Sequence, residues 1–181
     1  MAIRHILTVD NDSPTLRRRS KKVKQVTPAL QTLVDDMVET MRAAPGMGLA
    51  AIQVGVPLRV IVAEIPEDEE NPQNGTLYVL VNPEIVRASR EVEEMEEGCL
   101  SIPGYIGFIK RPMAVTVKGL NHKGTPVRIR AQGLLARVLQ HEMDHTEGIL
   151  FPDRLESLDR LFRLRPSEEG MEGVALEPIL A

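Results

Sequence analysis

The chemistry most directly legible in the chain lies in Gln140-His141-Glu142-Met143-Asp144-His145, which contains His-Glu-x-x-His. On a helix, residues four apart lie one turn above each other on the same face. His141 and His145 so placed can present two neutral imidazoles to one metal ion. Glu142, next to the first of them, can reach a water on that ion as general base. Read instead as core residues, the two imidazoles would stand unpartnered in an apolar interior, which is costly. A catalytic zinc-type centre has three protein ligands and an open position. The longer His-x-x-Gly-x-x-His continuation is followed as far as Gly148 but puts Phe151 where a third His would stand. Downstream carboxylates are offered by Asp153, Glu156, Asp159, Glu168 and Glu169; upstream stands Cys99, in Glu97-Gly98-Cys99-Leu100-Ser101. A thiolate is the better ligand for a borderline ion, and both sets stay open on spacing alone.

A helix must carry the two histidines. Leu134, Leu135, Val138, Leu139 and Met143 make a segment starting near Gly133 apolar round most of its circumference, the pattern of a buried helix. An earlier helix is set by Leu30, Leu33, Val34, Met37, Val38 and Met41 at helical spacing, with Thr27 as N-cap and Pro28 in the first helical position. Pro45-Gly46-Met47-Gly48 breaks it. Residues 58–64 and 77–81 read as strands, separated by an acidic loop over 66–75. Residues 113–118 and 127–131 read as a hairpin turning at 121–124, with Arg128 and Arg130 on its wet face. A third helix is predicted from 153 or 154 to about 164, ended by Pro166 and made basic by Arg154, Arg160, Arg163 and Arg165. Such a face could touch ribosomal RNA, although a plain solvated face explains it as well. Strands and helices segregate without regular alternation, which predicts α+β. The reading is one domain over 1–165 and a loosely attached tail over 166–181.

Composition bounds the function. A chain of 181 residues with 43% hydrophobic content can build a core, and 22 Lys+Arg against 26 Asp+Glu give a net charge of −4. That balance gives no global reason to coat nucleic acid or anionic lipid. With no Trp, two Tyr and three Phe, a surface of base-stacking platforms is excluded, and no specific DNA partner is expected. No apolar run approaches the ~20 residues that span a bilayer, so no membrane partner is expected. Arg4, His5 and Asp10 interrupt any signal-like apolar core. With one cysteine there is no intrachain disulfide, which suits a reducing cytoplasm.

Three motifs together resemble those of bacterial peptide deformylases. Gly46-Met47-Gly48-Leu49-Ala50-Ala51-Ile52-Gln53 is similar to Gly-x-Gly-x-Ala-Ala-x-Gln, Glu97–Ser101 matches Glu-Gly-Cys-Leu-Ser, and Gln140–His145 matches Gln-His-Glu-x-Asp-His. One departure is Thr146, where the family usually has Leu. The resemblance implies small antiparallel β-sheets packed around a central buried helix that carries the metal motif. It implies Cys99, His141 and His145 as ligands of one divalent ion, Fe²⁺ natively, with Zn²⁺ or Ni²⁺ accepted in preparations. The ligand types alone would favour zinc. The implied reaction removes the N-formyl group from N-formylmethionyl nascent peptides. Metal-bound water attacks the formyl carbon, Glu142 serves as base and then acid, and Gln53 and the Leu100 backbone N–H stabilise the oxyanion.

The methionine side chain of such a substrate needs an apolar pocket. Leu134 and Val138 share a helix face with His141 and His145; Val138 borders the ion, while Leu134 lies deeper or serves as core. Gly46 and Gly48 let backbone approach an extended peptide, which can add as a strand. The family also pairs the motif Glu with an Arg, here Glu97 with Arg111, and Asp144 orients a ligand, bonds nearby backbone or stays at the surface. Two rivals remain on residues alone: a zinc peptidase using a downstream acid, and a closed structural metal module.

Overall fold

The computed structural model describes residues 2–67, 71–166 and 174–179. Its elements run α1 (Val9–Leu16), α2 (Pro28–Ala43), β1 (Gly48–Ala50), β2 (Val60–Glu64), β3 (Leu77–Ala88), β4 (Val92–Cys99), β5 (Ile102–Pro112), β6 (Ala114–Leu120), β7 (Pro126–Gln132), α3 (Gly133–Thr146), β8 (Leu161–Pro166) and β9 (Val174–Pro178). One sheet has the order β1-β2-β3-β6-β7 and the other β4-β5-β8-β9. Every strand pairing in both is antiparallel, and the fold is α+β.

α2 starts as its sequence dictates. Thr27 Oγ1 accepts from the Leu30 N–H at 3.3 Å, and Pro28 opens the helix without losing a bonded N–H. Its apolar stripe packs on Leu49, Val60, Val62 and Val81. α3 buries Leu135, Ala136 and Leu139 against Ile61, Leu80, Val115 and Val117. It touches β1, β2, β6 and β7 of one sheet and β5 of the other. Full burial of each large aliphatic side chain contributes about 1.5–3 kcal/mol. A third cluster of Leu16, Ile102, Ile109, Leu150 and Phe151 closes the end near the β4–β5 hairpin. Among the described residues no helix is long and apolar enough to cross a membrane.

The helix expected from 153 or 154 to about 164 is absent. Phe151–Arg154 and Leu158–Arg160 are short 3₁₀ turns, and Leu161–Pro166 is a strand paired with β5 through Tyr105↔Arg163, Ile106↔Phe162 and Gly107↔Leu161. Within it Phe162 and Leu164 alternate with exposed Arg163 and Arg165, a period of two that fits the open edge of β5. Phe162 meets Phe108 edge-on, with ring centroids 5.5 Å apart. The four arginines therefore share no helical face. Arg154 pairs with Asp144, Arg160 with Glu94 and Arg165 with Glu177, while Arg163 lies over Tyr105.

Of the tail, β9 pairs with β8 along its length, yet the side chains of 175–179 are exposed. Residues 167–173 and 180–181 lie outside the described residues, as do 68–70 of the acidic loop. Thr146 is buried, its hydroxyl donating to the Met143 carbonyl at 2.8 Å and its own carbonyl accepting from Ser20 N–H at 2.8 Å.

Gly148 turns the chain just after α3. Its φ is +76°, and a Cβ there would fall on the Arg17 carbonyl oxygen, well inside van der Waals contact. Gly148→Ala is expected to lower the unfolding free energy by about 2 kcal/mol or more. The check is urea denaturation; an unchanged midpoint contradicts it.

Candidate active site

Cys99 ends β4, where the β4–β5 pairing shifts register between Gly98 and Cys99. That irregularity brings its sulfur to α3. Sγ lies 3.3 Å from His145 Nε2, and the rings of His141 and His145 stand 5.0 Å apart. One ligand atom from each of Cys99, His141 and His145 falls within 4.8 Å of the others. Among the described residues, the downstream acids Asp153, Glu156 and Asp159 do not join them. Asp153 is held by Arg17 and accepts from Leu150 N–H, and Glu156 is held by Lys110. Glu168 and Glu169 lie outside the described residues.

Behind the three sits a buried ion network. Glu97 accepts from Arg111 Nε at 2.5 Å and Nη2 at 2.9 Å, and from Arg137 Nη1 at 2.7 Å. Its Oε2 lies 3.0 Å from His141 Nδ1. Burial pushes this carboxyl up, but hydrogen bonds from His141 and Arg111 outweigh burial and hold it at about 2. An ionised carboxylate only accepts, so Nδ1 carries the proton and Nε2 is left to face an ion. Asp144 is buried and accepts from Arg111 Nη1 at 2.9 Å and Arg154 Nη2 at 2.6 Å. It is no surface carboxylate. Burial and the neighbouring His141 push His145 well below the usual imidazole range. Burial works against His141 too, but hydrogen bonds to Cys99 and Glu97 hold it well above that range.

Glu142 is set apart from this network. It is 4% exposed, its Oε2 has no hydrogen-bond partner, and burial pushes it up to about 7. It packs where Gly48 has no side chain: a Cβ on Gly48 would lie 2.5 Å from Glu142 Oε1. Gly46 likewise leaves room for Leu100, whose Cδ1 would be 2.8 Å from such a Cβ. The buried Gln53 amide is fixed at both ends. Oε1 accepts from Ala50 N–H at 2.8 Å, and Nε2 lies 3.1 Å from Ser101 Oγ and 3.6 Å from Cys99 Sγ.

A cleft of 340 Å³ opens over these groups. Gly46, Gly48, Gln53, Cys99, Leu100 and Glu142 line it, together with Leu134, Val138 and His141 from α3. Sequence reasoning missed Ser101, which holds the Gln53 amide, and Arg137, which holds Glu97. An Arg one turn before His141 on a helix read as buried was the available signal, because a buried cation needs a partner. It also missed Tyr105, Ile106 and Leu164, which β5 and β8 bring to the cleft wall.

The donors fit a metal. One thiol and two imidazoles converge, and the buried Glu142 Oε2 on the adjoining cleft wall lacks a partner. Such a set suits a borderline divalent ion.

Residues 3–161 match the family model for polypeptide deformylase. The peptide deformylase of Dehalococcoides mccartyi strain CBDB1 is 45% identical over 174 residues, spanning 96% of this chain and 99% of that one. That of Caulobacter vibrioides is 50% identical over 162 residues, 88% of this chain and 92% of its own. Among solved structures, a peptide deformylase from Ehrlichia chaffeensis in complex with actinonin superposes with a TM-score of 0.81 at 43% identity, covering 88% of this chain and 92% of that one.

The Glu142 environment makes a stability prediction for the metal-free protein. Its folded-state value of about 7 lies above the ordinary 4.5. The stability that the protonated carboxyl contributes is thus fully present below about pH 4.5 and is lost as pH rises through about 7. Glu142→Gln, a neutral isostere, is expected to stabilise metal-free protein at pH 8 by about 1–3 kcal/mol and to change little at pH 4.5. Urea unfolding at both values checks this; equal effects at the two contradict it.

Proposed function

The chain belongs to the peptide deformylase family, and from that premise we propose that it hydrolyses the formyl group from N-formylmethionyl nascent peptides, releasing formate, at one divalent metal ion held by Cys99, His141 and His145. The observation that carries this reading is the convergence of those three donors beside a cleft that Cys99, His141 and Glu142 line, with Glu142 poised near neutrality. The bound ion would supply Lewis acidity, lowering the pKa of water and polarising the formyl oxygen.

Glu142 is the proton carrier. A carboxyl with a pKa near 7 can take a proton from the attacking water and return it to the departing amine. Gln53 Nε2, fixed by the bonds at its other end, offers an N–H toward the developing oxyanion, and the Leu100 backbone N–H offers a second. Leu134 and Val138 line the cleft and supply an apolar wall for the methionine side chain. β1 is the edge strand of its sheet, so the Gly46–Gly48 backbone leaves an edge on which the peptide can add as a further strand. Glu97 keeps His141 oriented from behind. The reaction belongs where nascent chains are made, in the cytoplasm.

Iron is the proposed native ion, from the family resemblance; zinc and nickel suit the same donors. In air the Fe²⁺-loaded enzyme is expected to lose activity while the zinc form persists, because only iron has an accessible redox step and Cys99 is common to both. Activity followed over time at equal occupancy checks this; equal decay contradicts it. Cys99→Ala should lose bound metal and formate release together. Glu142→Gln should keep the metal while turnover of formyl-Met-Ala falls about 10²–10⁴-fold. A Cys99→Ala protein that stays metal-loaded and active would return the site to the downstream acids.

A further inference from the structure

Arg137 stands one helical turn before His141 on α3 and is 5% exposed. A guanidinium stays charged in any protein interior, so its burial requires partners for a fork of donors. It finds them across the site. Nη2 donates to the Glu93 carbonyl at 2.7 Å, and Nη1 donates to the Ile109 carbonyl at 2.9 Å and to Glu97 Oε1 at 2.7 Å. The two carbonyls belong to paired strands, β4 and β5, and cannot move independently. They fix the guanidinium, and the guanidinium fixes one oxygen of Glu97. The other oxygen, Oε2, faces His141 Nδ1 at 3.0 Å. Arg111 makes a parallel tie, from β5 to Glu97 and Asp144, away from the cleft. Arg137 is on the cleft wall itself, on the same helix as two ligands and bonded to the strand that ends in the third.

We propose that Arg137 is a positioning residue of the metal centre: through Glu97 it sets the orientation in which His141 presents Nε2 to the ion. The inference rests on the metal-site reading above. It gives Arg137 no contact with substrate and no proton to carry. Its effect appears in metal affinity and in the ligand field, two quantities that a residue serving the fold alone would leave unchanged in protein that folds.

The test is a double-mutant cycle with Arg137→Met and Glu97→Gln, read by competition for Zn²⁺ against a chromophoric chelator and by the absorption spectrum of the Co²⁺-loaded protein. Arg137→Met is expected to weaken Zn²⁺ binding about 10–100-fold and to alter the Co²⁺ bands. The double variant should bind no more than about threefold more weakly than Glu97→Gln alone, since coupled residues lose one shared interaction. Arg137→Lys, which keeps the charge without the fork, should fold and show an intermediate loss; it decides the matter if Arg137→Met does not fold. Wild-type affinity and spectrum in the Arg137 variants overturn the proposal, as do multiplied losses in the double variant. Failure of the underlying reading looks different: the unsubstituted protein would then bind no ion, or one that Cys99→Ala does not weaken.

Discussion

The site depends on one buried carboxylate that has to remain ionised. Glu97 is 6% exposed, and an unpaired charge at that depth would cost several kcal/mol. Two guanidiniums and an imidazole N–H surround it, from two different elements: Arg111 on β5, with Arg137 and His141 on α3. Satisfying that one charge brings the helix with two histidines against the strand that ends in Cys99. The apolar clusters bring these elements near each other, but they are non-directional. The hydrogen bonds to Glu97 choose the register.

Two glutamates in one site then take opposite roles through their surroundings. Glu97 is held at about 2 by the cations and the imidazole. Glu142, equally buried but with Oε2 unbonded and packed on Gly48, rises to about 7. The first orients a ligand and keeps its charge; the second can exchange a proton near neutral pH. Glycine at position 48 is part of this division, since any side chain there would displace the Glu142 carboxyl.

Much of this was legible in the chain. The spacing of His141 and His145 fixed a shared helix face, and the period of 3.6 in α2 and α3 gave both helices close to their observed starts. The β6–β7 hairpin followed from alternation. β4 and β5 did not, because residues 92–99 read as a run of acids. Their inward face is Met95, Glu97 and Cys99, so a charged residue occupies a core position and masks the period of two. The segment after Asp153 misled for a different reason. Its charges and leucines suit a helix locally, and only the open edge of β5, which no local pattern reveals, makes it a strand. The Glu97–Arg111 pair came from resemblance; Arg137 needed the structure, because its place on a helix read as buried signals a partner without saying which one.

The most direct measurement is an anaerobic titration of metal-free protein with Fe²⁺ while formate release from formyl-Met-Ala is followed. The expected result is activity that rises linearly and breaks at one ion per chain, with no cleavage of unformylated peptides. Formate release that ignores the added ion, or hydrolysis of the Met–Ala bond in its place, would contradict a deformylase centre built on Cys99, His141 and His145.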